Sequence, residues 1–393
     1  MPRRFLVLLT AAAFVAPGPG VGATPRVVET WRATPQVAAV AVDDAGQIFV
    51  VDENTVGDLI LRAYRADGTP RWERSWHRNG GALSAEDVAL GPDGTVIVSA
   101  VIDPEPPGDC DEIWNHGWAI AVWDRTGHLS WHREQPGWRE CETFGTSGRT
   151  VAGGGDTIAL VVGQGDEYSS RARVIAYDLQ GHERWRFVFR RPGSGQQRID
   201  DIAVGANGAV YLSGTYDIQT LDSPPTDQDT LLVKLRADGA RAWQRVVPDP
   251  LRGDDRGGGV TLARGTVSVA ALVREPGGPA RIRVASYSRE GMFRWQRFVP
   301  RVVSSGWGDV FLATRRHGTV LAASQRDADG WGIRVLLRAW DANGSPRWVR
   351  RLRHRPDRST VATGLAASRA AIVVVGRPPN QAGDWSHVWV LEG

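Results

Sequence analysis

Past residue 36 the chain alternates short apolar runs with turn-forming residues, and the runs come in pairs. Residues 37–42 and 48–51 flank Asp43-Asp44-Ala45-Gly46; after a longer polar interval, the runs 58–64 and 70–76 flank Ala66-Asp67-Gly68. A turn of this kind between two β-type runs is a hairpin signal. The pattern therefore predicts strand, tight turn, strand, longer loop, strand, tight turn, strand. No stretch has the 3.6-residue apolar period of an amphipathic helix.

The unit recurs. Residues 87–98 and 118–133 form a second copy, 150–162 and 171–189 a third, with Gly153-Gly154-Gly155-Asp156 as its first turn, and 201–214 and 230–243 a fourth. Copies five and six cover 259–299 and 308–352. A turn glycine followed four residues later by tryptophan marks six of them: Gly68/Trp72, Gly127/Trp131, Gly181/Trp185, Gly239/Trp243, Gly291/Trp295 and Gly344/Trp348. A fixed period of 50–60 residues indicates a repeat architecture. A seventh copy begins at Val361 but supplies only three strands, while 27–31, a β-type run ending in Trp31, has no hairpin of its own. An open ring would leave an unpaired strand edge in water. The fold expected is thus all-β: a seven-bladed β-propeller of four-stranded antiparallel blades, closed by an N-terminal strand that completes the last blade. Residues 24–393 would form this single domain, with Trp31, Trp72, Trp131, Trp185, Trp243, Trp295 and Trp348 packing blade on blade.

The fourth copy resembles the bacterial seven-bladed propeller repeat, with its Asn207-Gly208 hairpin leading to Val210-Tyr211-Leu212-Ser213-Gly214, then Val233-Lys234-Leu235 through Asp238-Gly239 to Trp243. The second hairpins resemble the tryptophan-docking motif of pyrroloquinoline quinone (PQQ) enzymes and their non-enzymatic propeller relatives. Asp124-Arg125-Thr126-Gly127 to Trp131 keeps the motif's aspartate, threonine and glycine with one residue fewer between them, and Val122 stands at its alanine position. Asp178 and Asp341 keep the aspartate without the threonine; Arg65, Arg236 and Ser288 replace it. The resemblance implies a blade, and beyond that either a PQQ- and Ca²⁺-dependent enzyme or a non-enzymatic relative. The chain is short for the eight-bladed enzymes, and no family calcium or catalytic carboxylate motif matches a position here.

Residues 1–23 read as an export signal: Arg3 and Arg4, an apolar stretch over 5–16, then a breaker-rich segment ending Val21-Gly22-Ala23. The apolar stretch is too short to span a bilayer. A periplasmic or extracellular location follows as the expectation, with no transmembrane segment. Without this leader 45 basic residues face 44 acidic ones, so charge gives no indication of a nucleic-acid partner. Lys234 is the only lysine, and the arginine excess reads as base-composition bias.

Strand order sorts the loops onto two faces. All tight turns fall on one; the long segments after the second strands and between copies fall on the other, where function concentrates. Cys110 and Cys141 both map to that long-loop face, and two cysteines in an exported chain predict one disulfide. The loop it closes, about 31 residues, would make it worth roughly 3–4 kcal/mol. Trp76, Trp114, Trp138, Trp307, Trp331 and Trp385 stand outside the repeat positions and outside the clear strands, as loop residues. With His116, the last five of these are the candidate binding residues, since aromatics on an open face stack sugars or anchor a protein partner. The acidic loop Asp103, Glu105, Asp109, Asp111 and Glu112 has oxygen ligands for Ca²⁺ but no EF-hand spacing. His77, His116, His354 and His387 show no metal-ligand spacing. The expectation is an exported, monomeric, non-enzymatic scaffold that binds a protein or glycan through the long-loop face, with no cofactor and no assigned catalytic or metal residue. The alternatives are a quinoprotein-like or other propeller enzyme and a carbohydrate-binding propeller.

Overall fold

The computed structural model describes residues 24–33, 37–103, 116–136, 146–165, 170–189, 197–217, 228–247, 254–274, 278, 280–300, 302, 310–316, 318–327, 332–353, 359–379 and 385–393. These form seven four-stranded antiparallel sheets. Blades 1 to 6 comprise residues 39–76, 82–135, 146–188, 197–247, 254–300 and 310–352, each with its strands in chain order. Blade 7 takes three strands from 361–392 and its outermost strand, Arg26–Arg32, from the other end of the sequence. That strand runs antiparallel to His387–Glu392, with Thr30 opposite Trp389 and Trp31 opposite Val388. The expected ring, its blade number and its closure are all present.

The core lies between blades rather than within one. Seven apolar clusters occur among the described residues, and each joins two neighbours: Phe49 and Leu61 of blade 1 meet Leu83 and Val98 of blade 2, and Val373 and Val388 of blade 7 meet Ile48 and Val50 of blade 1. Middle strands are covered on both faces by adjacent sheets. This is why Val96–Asp103 and Gly117–Trp123 read as near-continuous apolar runs and are buried almost throughout. Outer strands such as Pro70–Trp76 are mostly exposed and polar.

The outer hairpins explain the glycine–tryptophan spacing. In each turn the glycine alone takes φ near +80°, as at Gly239 and Gly344, and the strand pair bulges beside it. The tryptophan of one blade lies flat on the turn glycine of the next and donates its indole N–H to a carbonyl of that turn. Trp72 bonds Arg125 O (3.2 Å), Trp131 bonds Leu179 O (3.0 Å), Trp185 bonds Ala237 O (2.8 Å), Trp243 bonds Arg289 O (3.1 Å) and Trp295 bonds Ala342 O (3.0 Å). An arginine two residues after the tryptophan adds a second bond in three blades: Arg74 Nε to Gly127 O (2.7 Å), Arg245 Nε to Gly291 O (2.9 Å) and Arg297 Nε to Gly344 O (3.0 Å). Trp31 lies on Gly68 in the same way, although its indole nitrogen has no hydrogen-bond acceptor. Trp348 packs instead against the blade 6–7 cluster with Val27, and Arg350 reaches Pro25 O (2.5 Å).

A methyl group on Gly239 would stand 2.6 Å from Trp185 Cδ2 at a φ of +82°. Gly239→Ala is expected to cost about 2–3 kcal/mol, from left-handed strain plus overpacking against a ring whose bond to Ala237 O would have to break for it to withdraw; a urea denaturation midpoint indistinguishable from wild type would refute this.

Two local expectations change. Gly153 and Gly154 belong to the strand Thr146–Gly154 rather than to a turn. A Cβ on Gly153 would meet Ile97 and Leu90 O, and one on Gly154 would meet Val204 O, so the strand is glycine-rich because neighbouring blades press on it. Trp76 is not a loop residue: it ends the strand Pro70–Trp76, buried against Trp123 and His132.

Candidate functional site

The innermost strands of the blades surround a central channel, and a cavity in it opens at the ends where those strands begin. That is the long-loop face, because the lining also includes Glu53 and Arg377 at the far ends of the second strands of blades 1 and 7. The cavity is about 840 Å³. Its wall carries five carboxylates, Glu53, Glu86, Asp87, Asp200 and Asp201, against two guanidinium groups, Arg198 and Arg377. The charge at the mouth is therefore acidic in a chain whose net charge is slightly positive.

Sequence places these groups through a bulge. The inner strands of blades 2, 3 and 4 slip register just before Asp87, Thr150 and Asp201, which occupy the same station in successive blades. Each precedes a β-branched residue that packs outward: Val88, Val151 and Ile202. Asp87 Oδ2 accepts from Thr150 Oγ1 (2.7 Å) and from Val151 N (3.0 Å), and its Oδ1 accepts from Val88 N (2.8 Å). Asp201 accepts from Ile202 N (2.8 Å) and Val260 N (2.6 Å) and lies 3.4 Å from Thr150 Oγ1. The two aspartates thus staple blade 2 to blade 3 and blade 4 to blade 5, with Thr150 between them. Burial pushes the Asp87 carboxyl up to about 6. It pushes Asp201 up to about 7, the nearby Asp87 charge adding to the rise.

Beside them Arg198 pairs with Asp200, and Thr215 donates to Asp200 Oδ2 (3.3 Å) while accepting from Gly257 N (2.9 Å). A Cβ on Gly257 would run into Asp200 and the Gly214 backbone, and one on Gly259 would stand 2.8 Å from Leu312 N. The glycine run 257–259 lets the inner strand of blade 5 approach its neighbours and turn bare backbone toward the channel.

Of the sequence candidates, Trp114, Trp138, Trp307, Trp331, Cys110 and Cys141 lie outside the described residues, as do residues 1–23. Trp385 is 49% exposed, just before the buried strand His387–Glu392. His116 is half-buried, with Nδ1 2.7 Å from Asp103 Oδ1; Asp103 in turn accepts from Ser84 Oγ (2.7 Å), and Ser84 is itself part of the mouth. His77 pairs with Asp58 on blade 1, and His387 is buried in blade 7, so the three described histidines of the four belong to different blades, while His354 lies outside the described residues. Among the described residues no group of three His, Cys, Asp or Glu side chains is placed to hold a metal ion. PQQ is a tricarboxylate, and a wall with five carboxylates against two guanidinium groups does not suit it. The cavity-lining residues the sequence reading passed over are Asp87 and Asp201. Aligning the inner strands on Val88, Val151 and Ile202 would have exposed them as polar groups at a channel-facing station.

No family model matches the sequence, and no curated protein matches it. Solved structures with a similar fold include the polysaccharide lyase Uly1 (TM-score 0.56, 11% identity, covering 97% of this chain and 94% of that one). A PL25 ulvan lyase bound to -[GlcA(1-4)Rha3S]- is similar at TM-score 0.55 and 11% identity, covering 92% and 95%. The β-propeller domain of Cps50 (Swd1) from Myceliophteria thermophila is similar at TM-score 0.53 and 12% identity, covering 94% and 100%. At these identities the likeness is one of fold.

Proposed function

We propose that the protein is an exported, non-enzymatic binding propeller that takes an oligosaccharide at the channel mouth on its long-loop face. The carrying observation is the cavity of about 840 Å³ walled by carboxylates, two arginines and exposed glycine backbone. Carboxylates accept hydrogen bonds from vicinal hydroxyls, and guanidinium groups donate to ring and uronate oxygens, so such a wall suits a hydroxyl-rich ligand better than an apolar one. Two proteins of similar fold are polysaccharide lyases, which makes polysaccharide fragments the first ligand class to test. Lyase chemistry needs a free base at the reacting carbon. The half-buried carboxylates with raised proton affinity, Asp87 and Asp201, spend both oxygens on backbone N–H groups, and this favours binding over catalysis.

The test is titration calorimetry with neutral and uronate-containing oligosaccharides, paired with ultraviolet absorbance to detect unsaturated product. Binding without product is expected, and Glu53→Ala with Arg377→Ala should weaken it by about tenfold, the worth of one or two polar contacts. Product formation would replace this reading with a lyase, and no heat with any glycan class would remove it.

A further inference from the structure

The outermost strands differ in charge in a way blade packing does not require. In blades 1, 2, 3 and 7 each carries one glutamate: Glu73, Glu134, Glu183 and Glu29. The first three pair with Arg62, Arg78 and Arg186. The outer strands of blades 4, 5 and 6, Arg241–Val247, Phe293–Pro300 and Pro346–Leu352, carry seven arginines and no acidic residue. Three carboxylates stand in the adjoining turns. Asp238 and Asp341 accept backbone N–H groups of their own turns, and Glu290 lies beside Lys234 and Arg294. The three strands form one surface, because Arg245 of blade 4 bonds the blade 5 turn at Gly291 and Arg297 of blade 5 bonds the blade 6 turn at Gly344. At the middle of that surface two apolar side chains project from the blade 5 turn: Met292, 65% exposed, and Phe293, 57% exposed.

We propose that this rim of blades 4–6 docks edge-on against an anionic lipid surface. Seven arginines on strands that carry no acidic residue, against three carboxylates in the adjoining turns, supply attraction to acidic headgroups, and a projecting Met-Phe pair supplies a wedge for the acyl boundary; the combination is that of interfacial membrane contact. Protection of exposed strand edges needs charge of either sign, and the other four blades provide it with both. A soluble polyanion would engage the arginines and leave Met292 and Phe293 in water. Edge-on docking leaves the channel mouth, which is built from different residues, open to solvent.

Co-sedimentation with phosphatidylglycerol/phosphatidylcholine vesicles, compared with phosphatidylcholine alone, tests this. Binding to the anionic vesicles that weakens with salt is expected. Arg294→Glu with Arg347→Glu should lower the affinity by about tenfold or more. Met292→Ser with Phe293→Ser should also lower it, and do so at every salt concentration. Arg65→Glu with Arg125→Glu, exposed turn arginines of blades 1 and 2, carries the same charge change and should leave binding within twofold. Melting curves of all variants check that they fold. The proposal is overturned by absent vesicle binding, by equal loss in the control variant, or by binding to dextran sulfate with no binding to vesicles.

Discussion

Deleting residues 24–33 lowers the melting temperature by more than about 10 °C or removes the cooperative transition altogether. The segment is the fourth strand of blade 7. Without it His387–Glu392, whose side chains are buried up to Leu391, becomes a bare apolar sheet edge. Val27 and Trp31 leave the clusters on either side of that blade, and Ala33 N gives up its bond to Ser386 O (2.9 Å). Two large side chains lost from packed interfaces cost about 5 kcal/mol before the unpaired ladder is considered. Gly68 also loses the Trp31 ring that covers it. The check is a thermal melt of the deletion beside a protein lacking only residues 1–23; matching transitions would mean the ring does not depend on its closing strand.

The second large effect is a loss of stability as pH rises. Asp87 and Asp201 bind a proton more tightly in the folded protein than in the unfolded chain, since their folded values are about 6 and about 7 against an ordinary 3.8. A carboxyl raised in this way contributes its stability fully below the unfolded value. It loses that contribution as pH climbs through the folded one. The melting temperature should therefore fall between pH 5 and pH 8, by the equivalent of a few kcal/mol for the pair. Most ordinary paired carboxylates act in the opposite direction at lower pH, so the sign is diagnostic. Asp201→Asn should flatten this slope. It should also cost about 1–3 kcal/mol at pH 5, because an amide NH₂ would face Ile202 N–H or Val260 N–H, both donors. Melts at four pH values on the two proteins decide it, and a flat or rising wild-type curve would contradict the geometry.

Blade number, strand order and ring closure were legible because they rest on local signals. Glycine at a turn and tryptophan four residues on are set by one hairpin, and the orphan run at Trp31 could be matched to a blade with three strands. The face that carries the cavity was legible for the same reason, since loop lengths are a property of the line of residues. The cavity's chemistry was not. Asp87 and Asp201 look like ordinary hairpin polar residues, and their bonds run to Val151 and Val260, some sixty positions away. Their significance comes from a register slip of one residue, which neither composition nor alternation reveals. Arg74, Arg245 and Arg297 were missed similarly: their partners are carbonyls of the next blade, and a carbonyl has no letter in the sequence. The glycines at 153 and 154 were read as a turn because glycine-rich stretches usually are, whereas here crowding from blades 2 and 4 excludes side chains.

The seam in blade 7 also bears on how quickly the protein folds. Every other pair of neighbouring strands in a blade is joined by chain that stays within that blade. The pairing of Trp31 with Val388 closes over more than 350 residues. Joining ends that far apart costs roughly 3 kcal/mol more chain entropy than joining them across ten. It becomes favourable only after the intervening blades have stacked and brought both strands to the same gap. Blade 7 is therefore the last sheet to complete, and until then Arg26–Arg32 and His387–Glu392 are two open strand edges on a nearly finished ring. At high concentration the same two edges can pair between molecules instead of within one, so the yield of refolding should be governed by dilution as much as by temperature.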